Sequence, residues 1–173
     1  MRGTAEKHPD DEEFGFEEDP TDLDRLLIAD KESVAEFVEK LNRIDPKEIG
    51  DRSLVIALGT GGTISMIEEV SEDGTRLRVP SLDFNDIFEK TEPSLKSRFL
   101  VQDLSVFKID SSQMQYAHAH DLAIIQNYII KNLKKDFVGF LFIHGTDTMA
   151  ESSSALAAML GENLVKPIVY TGS

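Results

Sequence analysis

Val138-Gly139-Phe140-Leu141-Phe142-Ile143 runs directly into His144-Gly145-Thr146-Asp147-Thr148, and the reading of this junction decides the fold. Six apolar residues in succession, with no alternating polar position, read as a strand buried on both faces. The polarity switches abruptly at His144. The same switch occurs twice upstream. Residues 54–58 give way to Thr60-Gly61-Gly62-Thr63, and residues 104–109 give way to Asp110-Ser111-Ser112-Gln113. In an open parallel sheet the carboxyl ends of the strands share one edge, so three polar clusters separated by helical crossovers meet in one crevice. That crevice is the expected functional site.

Outward from the junction, residues 118–133 read as a helix with Leu122, Ile125, Ile129 and Leu133 inward. Residues 149–160 read as another, with Leu156, Met159 and Leu160 inward, and residues 99–109 and 167–171 as further strands. A short helix is expected over residues 83–90, before the break at Pro93. The alternation predicts an α/β fold with a doubly wound, mainly parallel sheet, right-handed crossovers and helices on both faces. Between the first strand and Pro93, residues 66–80 read as a hairpin around Asp73-Gly74. It stands where a lid would stand, the alternative being a surface hairpin without function.

Upstream of the domain, taken as residues 53–173, the chain is acidic. Residues 1–52 hold 8 basic and 17 acidic side chains, a balance of −9 within a total of −14. Residues 1–19 read as a disordered tail, with Phe14 and Phe16 the aromatic exceptions. Residues 20–52 read as a helical leader. Thr21 with Asp24 resembles a capping box, and Asp30 caps a helix bearing Val34, Phe37, Val38, Leu41 and Ile44 on one stripe. Pro46 ends that helix, and the stripe packs against the domain or a partner.

The acidic balance argues against phosphate-backbone binding, which needs clustered Lys and Arg. No segment is long and apolar enough for a membrane span, and the N-terminus lacks a basic, then apolar, signal pattern, so a cytoplasmic address is expected. With no cysteine in 173 residues, a disulfide framework and a thiolate nucleophile are excluded. The four histidines and the acidic residues show no zinc or calcium spacing, so no metal is inferred.

Gly59-Thr60-Gly61-Gly62-Thr63-Ile64 fits neither a dinucleotide fingerprint, which needs Gly or Ala at Ile64, nor a P-loop, which needs Lys followed by Ser or Thr. It is either a plain glycine turn or a turn presenting two threonine hydroxyls beside bare backbone N–H groups. In the second cluster, Ser112 with Gln115 fits a capping box and Asp110 an Asx turn, which would be a wholly structural explanation. In the third, Thr148 with Glu151 fits a capping box, leaving Thr146 and Asp147 to face the crevice. Convergent hydroxyls without thiol, metal or nucleotide loop point to acyl transfer with threonine as nucleophile, activated by a neighbouring base.

Taken together, Thr-Gly-Gly-Thr-Ile, Asp-Ser-Ser and His-Gly-Thr-Asp-Thr-Met, in this order, resemble the bacterial-type L-asparaginase family over residues 54–173, and most of all its cytoplasmic type I branch. The resemblance implies Thr63 as the acylated nucleophile and Thr146 as the second catalytic threonine. Ser111 with Ser112, beside Gly62, would hold the substrate's α-carboxylate, and Asp147 its α-ammonium and a place in the catalytic set. It implies hydrolysis of L-asparagine to L-aspartate and ammonia without cofactor, in a homodimer or homotetramer. Two departures are visible. The lid stretch Asp73-Gly74-Thr75-Arg76 lacks the family's tyrosine, and the family's lysine partner and C-terminal domain fall beyond Ser173. The expectation is a fragment whose second domain is missing, or a degenerate relative. The alternatives are the ammonia-releasing subunit of a tRNA-dependent amidotransferase and a non-catalytic amino-acid-binding relative.

Overall fold

The computed structural model describes residues 19–61, 66–70, 76–80 and 93–172. The tail, the Asp73-Gly74 turn and the helix expected over residues 83–90 lie outside the described residues, as do Gly62 and Thr63.

The chain opens with helices α1 (Lys31–Arg43) and α2 (Pro46–Ile49), then strand β1 (Ser53–Gly61) and an antiparallel hairpin of β2 (Met66–Val70) and β3 (Arg76–Pro80). It continues through α3 (Pro93–Arg98), β4 (Phe99–Ile109), α4 (Tyr116–Asn132), β5 (Gly139–Ile143), α5 (Met149–Leu160) and β6 (Ile168–Thr171). The main sheet runs β4-β1-β5-β6 with every pair parallel. From β1 the chain departs to β4 on one side, then returns across to β5 on the other. Adjacent carboxyl ends whose connections diverge leave a crevice between them, here between β1 and β5.

α1 forms where its cap and stripe predict. The Asp30 carboxylate accepts the Ser33 N–H at 3.3 Å, Glu32 stands in the first turn, and Lys40 and Arg43 complement the dipole in the last. Pro46 excludes helix at Asp45, which stays extended and caps α2 through the Lys47 N–H at 2.9 Å. At the start of the leader, Asp22 rather than Thr21 is the cap: its carboxylate takes the Asp24 N–H at 2.9 Å, and a single 3₁₀ turn, Leu23–Arg25, results. Thr21 instead bonds back to Asp19.

The α1 stripe is buried in one cluster with Leu54, Ile56 and Leu58 of β1, Leu122, Ile125 and Ile129 of α4, Phe140 and Phe142 of β5, and Leu156 and Leu160 of α5. Burying an aliphatic or aromatic side chain is worth about 1.5–3 kcal/mol relative to exposing it, so this stripe ties the leader to the sheet more firmly than its exposed ion pairs can. The other face of the sheet carries a smaller cluster of Ala57, Val101 and Ile143.

β1 outruns its apolar core. Thr60 and Gly61, read from the sequence as the start of a turn, are still in the strand and buried. Their pairing explains this: the register shifts between Gly59 and Gly61 so that Gly61 lies beside Ile109, the last residue of β4. Gly61 has φ +101°, and a Cβ there would overlap the Ile109 carbonyl oxygen and stand 2.8 Å from its nitrogen. Gly61→Ala is therefore expected to cost at least about 1–3 kcal/mol, the usual strain of a side chain held at positive φ. The control is Gly59→Ala, whose Cβ would meet Ser105 at an ordinary 3.6 Å. Urea unfolding of the two variants checks it, with only Gly61→Ala lowering the midpoint strongly.

Candidate active site

Four strand ends are knitted together at the carboxyl edge. The Thr60 hydroxyl donates to the Ile143 carbonyl at 3.0 Å, joining β1 to β5. The His144 N–H bonds the Thr171 carbonyl at 2.9 Å, joining β5 to β6, and Gly172 lies so close that a Cβ there would overlap the His144 carbonyl oxygen. The Thr148 hydroxyl donates to the Ser111 carbonyl at 2.7 Å, joining the turn after β5 to the turn after β4.

Two of these bonds reassign residues. Thr60 presents no free hydroxyl, because its oxygen is spent on the neighbouring strand inside the protein. Thr148 occupies the N-cap of α5 but makes no side-chain cap bond, and Glu151 is exposed, so the expected capping box is absent. Its hydroxyl ties the second cluster to the third instead. The expected box of Ser112 with Gln115 is also absent. Gln115 pairs with His118, whose Nδ1 accepts the Gln115 N–H at 3.0 Å, and α4 accordingly begins at Tyr116. Asp110 is the cap of a 3₁₀ turn, Ser111–Gln113, accepting the Ser112 N–H at 2.8 Å and hydroxyl at 2.6 Å. Those donors hold the Asp110 carboxyl below the usual carboxylate range. The turn is therefore favoured above that range and loosens as pH falls through the lowered value.

The remaining sequence candidates fall as follows. Ser111 is buried at the end of β4, while Ser112 is exposed, its hydroxyl tied to Asp110. Thr146 and Asp147 are exposed on the turn after β5, and among the described residues their side chains make no hydrogen bond. Ser111, Thr146 and Asp147 thus share one edge, bridged by Thr148. Gly62 and Thr63 lie outside the described residues, although β1 ends at Gly61 on this same edge. A buried hydroxyl beside an exposed hydroxyl and carboxylate can serve a small ligand with opposite charges at its two ends, donors meeting its anion and the carboxylate its cation.

Sequence reading takes His144 only as satisfying a strand end and Tyr170 only as part of a buried strand. His144 is fully buried, its Nδ1 lying 2.5 Å from the Gly145 carbonyl oxygen, and among the described residues its Nε2 has no partner. Tyr170, on β6, stacks on Phe142 with centroids 4.9 Å apart, and its hydroxyl is buried without a partner among the described residues. Burial pushes that phenol above its ordinary range. The available signal was a polar ring in each of two otherwise apolar strand ends. Among the described residues no three His, Asp or Glu side chains are grouped to hold a metal, and no helix is long and apolar enough to cross a membrane.

Residues 54–173 match the family model described as the asparaginase N-terminal domain. Over 152 residues, 88% of this chain, the sequence is 32% identical to a glutamyl-tRNA(Gln) amidotransferase subunit of Thermoplasma volcanium, covering 35% of that protein. Over a shorter 44 residues, 25% of this chain, it is 57% identical to L-asparaginase 1 of Escherichia coli, covering 13% of that protein. The thermostable L-asparaginase from Thermococcus kodakarensis superposes with a TM-score of 0.50 at 25% identity, over 69% of this chain and 34% of that one. The chain therefore spans 35% of the Thermoplasma protein and 34% of the solved asparaginase. With a parallel sheet, the motifs gathered at its carboxyl edge, and a family match that runs from β1 to the last residue, this chain belongs to the asparaginase family through its N-terminal domain.

Proposed function

We propose that the domain serves an amidohydrolase of the asparaginase type, converting L-asparagine to L-aspartate and ammonia. The observation that carries this reading is the gathering of Ser111, Thr146 and Asp147 at one sheet edge by the Thr148 and Thr60 bonds, in a family member whose β1 leads into Gly62 and Thr63. In this reading the Thr63 hydroxyl attacks the side-chain amide carbon, the C–N bond breaks, and ammonia leaves with the hydroxyl's proton. Water then hydrolyses the threonyl ester and regenerates the hydroxyl. Thr146 assists that chemistry. Asp147 meets the substrate ammonium, and Ser111 with Ser112 and Gly62 meets its carboxylate. No cofactor enters, and a cytoplasmic, homo-oligomeric protein belongs to the same proposal.

A second reading is favoured by the alignment to the Thermoplasma protein over 88% of the chain. In it, the domain releases ammonia for a tRNA-dependent amidotransferase. One assay separates the two: ammonia release from asparagine and from glutamine, alone and with glutamyl-tRNA and the partner subunit, by a polypeptide spanning the relatives' full length. The expected result is turnover of asparagine alone, abolished in Thr63→Ala. Glutamine turnover that requires the tRNA complex selects the second reading. Residues 1–173 by themselves are expected to be nearly inert, because general-base assistance of the kind attributed to the family's further residues is commonly worth ~10²–10⁴ in rate. Robust turnover by the short chain, lost in Thr63→Ala, refutes that part.

A further inference from the structure

Next to the Gly145-Thr146-Asp147 turn are one buried donor and one buried acceptor, both without partners among the described residues. A carbonyl can only accept, so the contact of His144 with the Gly145 oxygen places the ring hydrogen on Nδ1. In the uncharged ring Nε2 is then an acceptor, and it is fully enclosed. The Tyr170 hydroxyl on the adjacent strand is a donor free to rotate, and it too is enclosed. The two rings are 5.8 Å apart between centroids and inclined at 58°. The stack of Tyr170 on Phe142, inclined at only 17°, fixes the phenol ring in place. A buried polar atom left unpaired is destabilising, and buried polar groups in native proteins are overwhelmingly paired. Two complementary ones on neighbouring strands answer each other's need.

We propose that the Tyr170 hydroxyl and His144 Nε2 are joined through one buried water, and that the couple positions the Gly145-Thr146-Asp147 turn. The chain of contacts is continuous. Tyr170 holds one side of the imidazole, whose other side holds the Gly145 carbonyl, the first group of the turn. Main-chain contacts reinforce it, since His144 also bonds Thr171 and abuts Gly172. Both are positioning residues, and the proposal rests on the reading of that turn as the part that faces substrate.

The test is made without substrate, on residues 1–173, so that it can fail or succeed independently of any amidase assay. Nitrogen-15 histidine NMR is expected to show His144 as the Nδ1–H tautomer. Tyr170→Phe should move its Nε2 resonance and the Thr146 and Asp147 amide signals. The same substitution should lower the urea midpoint, because deleting the hydroxyl of a bonded pair strands the acceptor, whereas deleting an orphan hydroxyl relieves a penalty. In a His144→Asn background, Tyr170→Phe should no longer lower the midpoint, the mark of a pairwise interaction. The proposal is overturned by an Nε2–H tautomer, by a midpoint that rises or stays put in Tyr170→Phe, or by an unmoved His144 signal. The last outcome would leave Nε2 to another donor.

Discussion

If the proposed amidohydrolase reading holds, alanine at Thr146 in a polypeptide of the relatives' full length is expected to lower asparagine hydrolysis by about 10³-fold, within the ~10²–10⁴ range associated with a lost proton-transfer partner, while leaving the fold intact. The separation of the two effects follows from the geometry. Thr146 is exposed, and among the described residues its side chain makes no hydrogen bond; only its carbonyl is used, by the Met149 N–H at 3.4 Å. Surface substitutions of that kind usually change stability by no more than about 0.5 kcal/mol. Thr148→Val two residues later should behave in the opposite way. It breaks the bond to the Ser111 carbonyl, costs about 1 kcal/mol, and raises KM by displacing the turn of Ser111. Ammonia release and urea unfolding on the same pair of variants check both halves. If Thr146→Ala keeps wild-type turnover in an active full-length protein, the catalytic role given to it is wrong.

The largest loss of stability should come from a residue far from this chemistry. Asp121, on α4, has no solvent exposure, and its carboxylate accepts three successive backbone N–H groups of the leader: Leu27 at 2.9 Å, Ile28 at 2.8 Å and Ala29 at 2.8 Å. His120 Nδ1 approaches the same carboxylate at 3.2 Å. Alanine at this position removes the acceptor and leaves three partly buried donors stranded. At ~1–3 kcal/mol for each unsatisfied group, with water able to reach some of them, a loss of about 3 kcal/mol is expected, equal to a urea midpoint lower by roughly 1–2 M. Hydrogen exchange at Leu27, Ile28 and Ala29 should accelerate in Asp121→Ala well beyond the change elsewhere in the sheet. Unchanged protection there would show that α1, through its apolar stripe, holds the leader without help from the latch.

The sequence was most legible where one local rule acted alone. Asp30 and the stripe from Val34 to Ile44 specify α1, and the two short runs read as a hairpin pair antiparallel as β2 and β3. Strand ends were legible in kind but not in bonding. Thr60 bonds across to a carbonyl of β5 at 3.0 Å and Thr148 to a carbonyl in the turn after β4 at 2.7 Å, and a hydroxyl's choice between a local cap and a distant carbonyl depends on tertiary approach, which no local pattern encodes. Asp121 was overlooked for a related reason. It lies in a helix buried nearly all round, and its partners stand more than ninety residues away, at separations of 92–94. A charge inside so apolar a run was the available signal that something must answer it.

That separation also orders events during synthesis. Leu27 leaves the ribosome 94 residues before the carboxylate that will receive it, and at ~5–20 residues per second this is a wait on the order of 5–20 s. Through that interval α1 carries Val34, Phe37, Val38, Leu41 and Ile44 with most of its eventual cover still unmade, because α4, β5 and α5 all follow. A nascent helix with a bare apolar stripe invites association with its neighbours on a polysome. The surplus of negative charge in the first 52 residues, 17 acidic against 8 basic side chains, is well placed to keep such chains apart until Asp121 arrives.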